Sequence, residues 1–280
     1  MQLGISTYTY GWAVGVPGNK PAHPMIELDL LERAREFGVA LVQFGDNLPL
    51  HRLSTEQLAL LARRAADWGI ALEIGARKLT DQHLQLYLSV AQQFKARILR
   101  FVVDAPGYEP SPDEITGILR NHLPQLEQSD VILGLENHDR LKANEFARII
   151  QAVGSPYVGV CLDSVNSMGA GEGLEQIVDT LAPYTVNLHI KDFGIQRLPH
   201  LMGFQIDGRP AGQGMLNVPW LLSKITPFGR CHTAILEQWV VPEQNLSDTI
   251  RKEAAWAAES MRYLKPFFET YNRSPKTEAL

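Results

Sequence analysis

Four polar residues that can bind a metal ion stand at the ends of apolar segments in this chain. Each segment is short, rich in aliphatic residues and flanked by turn residues, which is typical of a buried parallel strand. The intervals between positions 136, 163, 189 and 237 are 27, 26 and 48 residues, and the first two match one strand plus one helix. Strands repeated in this way bring their carboxyl ends to one face of a sheet or barrel. The residues are Glu136, Asp163, His189 and Glu237.

These three carboxylates and one imidazole predict a site for one divalent ion. A single polar residue at a strand end can simply mark the start of a loop, but four in succession, all of ligand type, favour a metal site. Carboxylates gathered at the mouth of an apolar barrel repel one another unless protons or a cation compensate them. The mostly oxygen donor set favours Mn²⁺ and leaves Mg²⁺, Co²⁺ or Zn²⁺ open.

A metal held by four protein ligands has coordination positions left for a substrate. Adjacent hydroxyl and carbonyl oxygens of a sugar could fill them, and the metal would stabilise the enediolate that forms when a neighbouring C–H or C–C bond breaks. Proton removal and return gives isomerisation or epimerisation, whereas loss of CO₂ from a 3-oxo acid requires only a proton donor. Both reactions stay open at this point, as does a non-catalytic sugar-binding barrel with a structural metal.

Strand and helix patterns alternate from one end of the chain to the other. Strands are predicted at residues 3–7, 40–44, 71–74, 98–103, 132–136, 158–163, 186–190 and 234–237. Amphipathic helices are predicted at residues 28–37, 55–68, 81–94, 112–126, 143–152, 174–181, 219–225 and 247–268. Ser54 and Gln57 form a capping-box pattern before one helix, and Gly38 and Gly154 follow others as C-caps. The alternation predicts an α/β fold, a single (β/α)₈ TIM-barrel domain over residues 1–280.

Two longer connections interrupt this alternation, at residues 8–25 after the first strand and 193–215 after the seventh. Both leave the carboxyl ends of strands, where TIM-barrel active sites lie, and connections of this length are often lids. We expect the second loop to close over the substrate, with Gly212 and Gly214 giving it backbone freedom.

Cationic and aromatic side chains near the predicted strand ends are candidates for contact with the substrate. Lys191, two positions after the candidate ligand His189, is a candidate catalytic residue, and His138 is a candidate proton donor that could equally hydrogen-bond a strand end. Arg100 lies within the fourth strand and could point into the barrel or outward. The remaining candidates could line the substrate pocket, although the loop arginines could also be solvated and the tryptophans could be core residues: Trp12, Arg197, His200, Arg209 and Trp239.

Composition restricts the kind of partner. The chain has 280 residues, 45% of them hydrophobic and 20% charged, with a net charge of −5, which is typical of a soluble globular protein. An acidic chain without a basic stripe argues against a nucleic-acid partner. Two cysteines, Cys161 and Cys231, and an N-terminus with no signal or membrane segment predict a reduced, cytoplasmic setting. A small sugar or sugar acid is the expected partner, without a membrane; a homo-oligomer is compatible with the sequence.

Over its whole length the chain resembles the xylose-isomerase-like TIM-barrel superfamily. The resemblance is carried by the motifs Leu135-Glu-Asn-His138, Leu162-Asp-Ser-Val-Asn166, Leu188-His-Ile-Lys-Asp192, Gly212-Gln-Gly214 and Leu236-Glu237. It implies sugar isomerase, epimerase or lyase activity and one divalent cation bound by the four residues named above. In the ketose epimerases of the family the two metal-bound glutamates also move the proton, which implies catalytic roles for Glu136 and Glu237.

The chain departs from the epimerase pattern at two positions. Asn166 stands where epimerases carry a His, and Ile195 where they carry an Arg, with Arg197 close by. We therefore count Asn166 as a substrate-binding candidate and expect simple ketose epimerisation less than decarboxylation of a 3-oxo sugar acid. The loop after the seventh strand looks most like a subgroup linked to 3-oxo-isoapionate decarboxylase. The extra ligands of the trinuclear endonucleases in the family have no match here.

Overall fold

The computed structural model describes residues 1–273, with side chains to residue 269, so the end of the expected domain range 1–280 lies outside the described residues. The strands are β1 (Gln2–Ser6), β2 (Leu41–Phe44), β3 (Ala71–Arg77), β4 (Ile98–Val102), β5 (Ile132–Glu136), β6 (Val158–Asp163), β7 (Thr185–Ile190), β8 (Phe193–Arg197), β9 (Phe204–Gly208) and β10 (Thr233–Leu236). The helices are α1 (Gly11–Val14), α2 (Glu27–Phe37), α3 (Thr55–Asp67), α4 (Asp81–Phe94), α5 (Pro112–Ser129), α6 (Ala143–Val153), α7 (Leu174–Leu181), α8 (Val218–Ile225) and α9 (Leu246–Arg273).

Eight parallel strands close into a barrel in the order β1-β10-β7-β6-β5-β4-β3-β2. This confirms the predicted α/β TIM barrel. The barrel strands are buried along most of their length, which agrees with their continuous aliphatic composition. Buried apolar residues of the strands and of the helices that surround them form one hydrophobic core.

Local sequence signals set several helix ends. Before α3, the Ser54 hydroxyl accepts from the Gln57 N–H, and the Gln57 side chain accepts from the Ser54 N–H at 2.8 Å. Gly38 ends α2 with φ 60°, a left-handed conformation that an L side chain would strain. These caps confirm the predicted boundaries at those positions.

Strand β3 runs three residues beyond the predicted end at residue 74. Gly75, Ala76 and Arg77 pair with β4, because strand pairing outweighs the weak strand preference of glycine. A side chain at position 75 would meet the Phe44 carbonyl oxygen at 2.8 Å, so glycine permits the close approach of β2. Arg77 is thereby carried to the carboxyl end of the barrel.

The connection after β7 differs from the irregular loop expected from its glycines. Strands β8 and β9 form an antiparallel hairpin in which Phe193 pairs with Gly208 and Arg197 with Phe204. Asp192 anchors its base, since its carboxylate accepts four backbone N–H groups, those of Phe193, Gly212, Gly214 and Leu216, at 2.8–3.0 Å. The other connection, after β1, contains α1. Among residues 1–273 no helix combines the length and apolarity needed to cross a membrane.

Candidate metal centre and active site

The four candidate ligands converge at the carboxyl end of the barrel. Glu136 and Asp163 are the last residues of β5 and β6, His189 is the last but one of β7, and Glu237 directly follows β10. All four are buried. The His189 Nδ1 atom lies 3.6 Å from Glu136 Oε2, 3.8 Å from Asp163 Oδ2 and 3.5 Å from Glu237 Oε1. The carboxylate oxygens therefore surround one nitrogen lone pair or N–H group.

A hydrogen-bond chain inside the barrel fixes the proton on His189. Its Nε2 lies 2.8 Å from the Gln43 amide oxygen, and the Gln43 amide nitrogen donates to Glu73 and Asn187. Because these acceptors fix the amide orientation, Nε2 carries the proton and donates it to Gln43. In the neutral imidazole Nδ1 then presents a lone pair, and this atom makes no hydrogen bond to any described residue. A buried lone pair facing three carboxylates fits a bound cation.

The other ligand candidates are held equally firmly. Asp163 Oδ1 accepts the backbone N–H groups of Val165 and Asn166, each at 2.8 Å, which leaves Oδ2 facing the site. Burial works against ionisation of Asp163, but the nearby Lys191 ammonium brings the pKa of this carboxyl below its usual value. Ser6 donates to Glu237 Oε1 at 3.0 Å. Asp163 is thus charged and ready to bind a cation.

Two buried cations balance part of this negative charge. Arg100 points into the barrel, where its Nε donates to Glu136 Oε2 and its Nη1 lies 2.8 Å from Asp46 Oδ1. Lys191 Nζ lies 2.9 Å from Asp163 Oδ2 and 3.1 Å from Glu237 Oε2. Burial alone would lower the pKa of Lys191, yet the adjacent carboxylates raise it above its usual value, so the ammonium stays charged.

The candidate ligands Glu136 and Glu237 open into a cavity of about 210 Å³. Its wall includes five further candidates from the sequence: His138, Asn166, Lys191, Arg100 and Trp239. Asn166 donates to Glu136 Oε1 at 2.7 Å and accepts from Lys191 at 3.3 Å, so it links a carboxylate to the ammonium. The wall is completed by Tyr8, Arg77 and Gln238.

Four other predicted site residues lie outside this cavity wall. Arg197 stacks on Phe204 within the hairpin, with 4.3 Å from its guanidinium carbon to the ring centre. His200 lies at the exposed hairpin turn, and Arg209 bonds the Gly208 carbonyl at 2.7 Å. Trp12 donates to the Val240 carbonyl and lines an adjoining cavity that shares Tyr8, Gln238 and Trp239 with the first. A position close to a strand end in the sequence is therefore not sufficient to bring a loop side chain to the cavity.

Sequence reasoning missed three residues that shape the site. Asp46 follows β2 by two positions and could have been found by the strand-end rule used for the other carboxylates. Arg77 was not recognised as a strand-end residue because β3 was predicted to end at residue 74. Gln43 gave a weaker signal, as the one polar residue in Leu41–Phe44. Cys161 approaches Glu136 and His189, but its thiol donates to Asn187 and burial raises its pKa well above its usual value, so it is not a ready ligand.

The fold is a TIM barrel with a cluster of carboxylates and one imidazole at the carboxyl ends of its strands. Residues 31–267 match the family model described as xylose isomerase-like TIM barrel. The chain belongs to this family. It is 34% identical over 275 residues to a 3-oxo-isoapionate decarboxylase of Pectobacterium atrosepticum, covering 98% of this chain and 97% of the relative.

Two solved structures share the fold at low sequence identity. A D-psicose 3-epimerase, solved in the presence of D-fructose, superposes with a TM-score of 0.69 at 14% identity, over 95% of this chain and 97% of that one. A xylose isomerase-like barrel protein from Mycobacterium smegmatis in complex with magnesium gives 0.67 at 16% identity, over 94% and 97%.

Proposed function

We propose that this protein is a divalent-metal-dependent decarboxylase of a small 3-oxo sugar acid. The observation that carries the proposal is the Nδ1 of His189, which has no hydrogen-bond partner among the described residues, beside three carboxylates of which Glu136 and Glu237 line a cavity of about 210 Å³. The similarity to the Pectobacterium enzyme supports the decarboxylation and names 3-oxo-isoapionate as the first substrate to test. Ketose isomerisation or epimerisation without carbon loss is the alternative.

Charge balance supports an acidic substrate. Four carboxylates and three cationic side chains lie in and around the cavity, so a bound divalent ion would leave an excess of one positive charge. They are Asp46, Glu136, Asp163, Glu237, Arg77, Arg100 and Lys191. In a buried site this excess favours binding of an anion over a neutral ketose.

Glu136, Asp163, His189 and Glu237 would hold the metal, which when bound supplies Lewis acidity toward the 3-oxo oxygen. Arg100 holds Glu136 in place by a hydrogen bond, and the Lys191 ammonium holds Asp163 and Glu237 in place and favours their charged forms. The bond to the carboxyl carbon breaks, CO₂ leaves, and the electron pair that remains on the substrate takes one proton. His138 lies on the cavity wall and is the proposed donor, with a ligand glutamate as the second candidate.

The reaction type is tested by incubating the metal-loaded protein with 3-oxo-isoapionate in D₂O. We expect one CO₂ per turnover and one solvent deuteron in the shortened product. L-Ribulose, a neutral ketose, should be left unchanged. Interconversion of ketoses without CO₂ release would contradict decarboxylation and establish the isomerase alternative, while inertness toward both substrates would favour a binding role.

Metal dependence is tested with Glu237→Gln, which removes one candidate ligand charge. We expect sub-stoichiometric metal by elemental analysis and a loss of activity of more than about 100-fold, since several kcal/mol of charge stabilisation are lost. The control is Glu243→Gln, an exposed carboxylate that pairs with Lys252 at 2.7 Å on the surface. Full metal content and activity in Glu237→Gln would remove this residue from the site.

A further inference from the structure

We propose that Arg77 forms the subsite that binds the substrate's carboxylate. The inference rests on the proposed function, because it assumes an acidic substrate, and it assigns the anion to a residue for which the sequence offered no signal. Arg77 ends β3, and its side chain lines the same cavity as Glu136 and Glu237.

Of the three cations on the cavity wall, Arg77 has donors left for a ligand. The side chains of Arg100 and Lys191 are 3% and 7% exposed and are bound to carboxylates of the cluster. Arg77 is 30% exposed. Its Nε donates to Asp46 Oδ2 at 2.9 Å, and one terminal nitrogen lies 3.4 Å from His138 Nε2. A guanidinium has five N–H donors in a planar fork, so these contacts leave donors for a carboxylate.

Asp46 orients this fork. One of its oxygens binds Arg77 and the other binds Arg100, so the carboxylate bridges the two guanidinium groups. Burial works against ionisation of Asp46, but the two guanidinium groups hold its pKa well below the usual range. The bridge therefore keeps Arg77 aligned without removing its free edge, which is what a preorganised carboxylate site requires.

The barrel topology places Arg77 away from part of the candidate metal cluster. In the closed order of strands, β3 lies opposite β7, which carries His189, and three strands from β10, which Glu237 follows; β5, which carries Glu136, is two strands away. A substrate that spans the cavity would place its oxo group on the Glu237 side and its carboxylate at Arg77. Such a carboxylate is not bound to the metal, and as CO₂ leaves, the electron pair of the broken C–C bond passes to the oxo group.

The subsite is tested with Arg77→Gln, and Arg63→Gln serves as the matched control because Arg63 is an exposed arginine on α3, outside the cavity wall. Calorimetric titration of the metal-loaded proteins with D-ribonate and ribitol compares an acid with its neutral counterpart. We expect Arg77→Gln to weaken D-ribonate binding about ten-fold or more, the loss of roughly one charge-assisted bond, and to leave ribitol unaffected. Arg63→Gln should change neither, and Arg77→Lys should be intermediate.

Kinetics with 3-oxo-isoapionate separate binding from chemistry. In Arg77→Gln we expect KM to rise about ten-fold or more with a smaller change in kcat, because the carboxylate is held in the ground state as well. Wild-type affinity for D-ribonate in Arg77→Gln, with an unchanged melting temperature, would overturn the subsite and place the carboxylate elsewhere, for instance on the cation. If the wild type releases no CO₂ but the ribonate result holds, the proposed reaction fails and the acid subsite stands.

Discussion

His189 shows how one side chain depends on residues deep in the barrel. Gln43 fixes its protonated nitrogen, and Gln43 is itself held by Glu73 and Asn187 at 2.9 and 3.0 Å. Glu73 is buried and pairs with no lysine or arginine among the described residues, and burial raises its pKa above its usual value. Gln43, Glu73 and Asn187 do not line the cavity, so we expect them to influence the candidate metal centre by orienting the imidazole.

The Gln43→Leu variant tests this dependence. Without its acceptor, His189 is free to rotate or to change tautomer, and we expect metal affinity to fall about 10–100-fold, as for other supporting residues of metal ligands. Competition with a chromophoric chelator measures it. Gln93→Leu, on the exposed face of α4, is the control. If Gln43→Leu folds, as its circular dichroism would show, and binds metal like the wild type, the orienting role is disproved.

At the scale of elements, the hairpin of β8 and β9 is exposed at its turn and contacts a residue of the cavity wall at its base. Leu201, Met202 and Phe204 are exposed along it. At its base, Gly208 packs against Trp239, so that a Cβ atom at position 208 would lie 1.8 Å from the Trp239 carbonyl oxygen. Trp239 in turn lines the cavity and lies 5.9 Å from Lys191 Nζ. A displaced hairpin base would therefore displace this wall. Closure of the hairpin over the substrate stays a prediction.

We expect Gly208→Ala to push the Trp239 backbone away and to lower the free energy of unfolding by about 1–3 kcal/mol, typical of overpacking. The KM for 3-oxo-isoapionate should rise with it, because the cavity wall moves. Gly173→Ala is the control, since a Cβ atom there meets nothing within 4 Å and φ is −79°. Urea unfolding and steady-state kinetics measure both effects, and wild-type values for Gly208→Ala would mean that the hairpin base and Trp239 move independently.

At the scale of the whole molecule, the last helix holds the first loop through a buried carboxylate. Glu253 of α9 accepts the Trp12 and Ala13 N–H groups of α1 at 2.8 and 2.9 Å. Burial raises the pKa of Glu253 from 4.5 to about 7, although these two N–H groups lower it. The folded protein thus keeps a proton at a pH where the unfolded chain has already lost it.

This difference makes stability depend on pH. The contribution of Glu253 to the free energy of unfolding is fully present below about pH 4.5, the pKa of the unfolded chain. It falls as the pH rises and is lost above about pH 7, a total change of roughly 3 kcal/mol. We expect Glu253→Gln to lose less stability than the wild type in urea unfolding between pH 5 and pH 8. Glu269→Gln, exposed on the same helix, should behave like the wild type. Parallel pH profiles of Glu253→Gln and wild type would exclude this contribution.

The sequence by itself determined the barrel and the positions of its candidate ligands. Both follow from local patterns: aliphatic segments predict the strands, amphipathic periodicity predicts the helices, and the intervals between strand ends place Glu136, Asp163, His189 and Glu237 on one face. The β8–β9 hairpin was not predicted, because its glycines and proline favour a loop until the two strands pair with each other.

Only the tertiary structure decided which other residues meet this cluster. Gln43 and His189 are 146 positions apart, and they touch because barrel closure brings β2 and β7 within reach across the interior. Arg77 enters the cavity because pairing with β4 extends β3, whereas Arg197 remains outside because it stacks on Phe204 in its own hairpin. Contacts across the barrel depend on its closure and on strand register, and neither is encoded in the residues next to the contact.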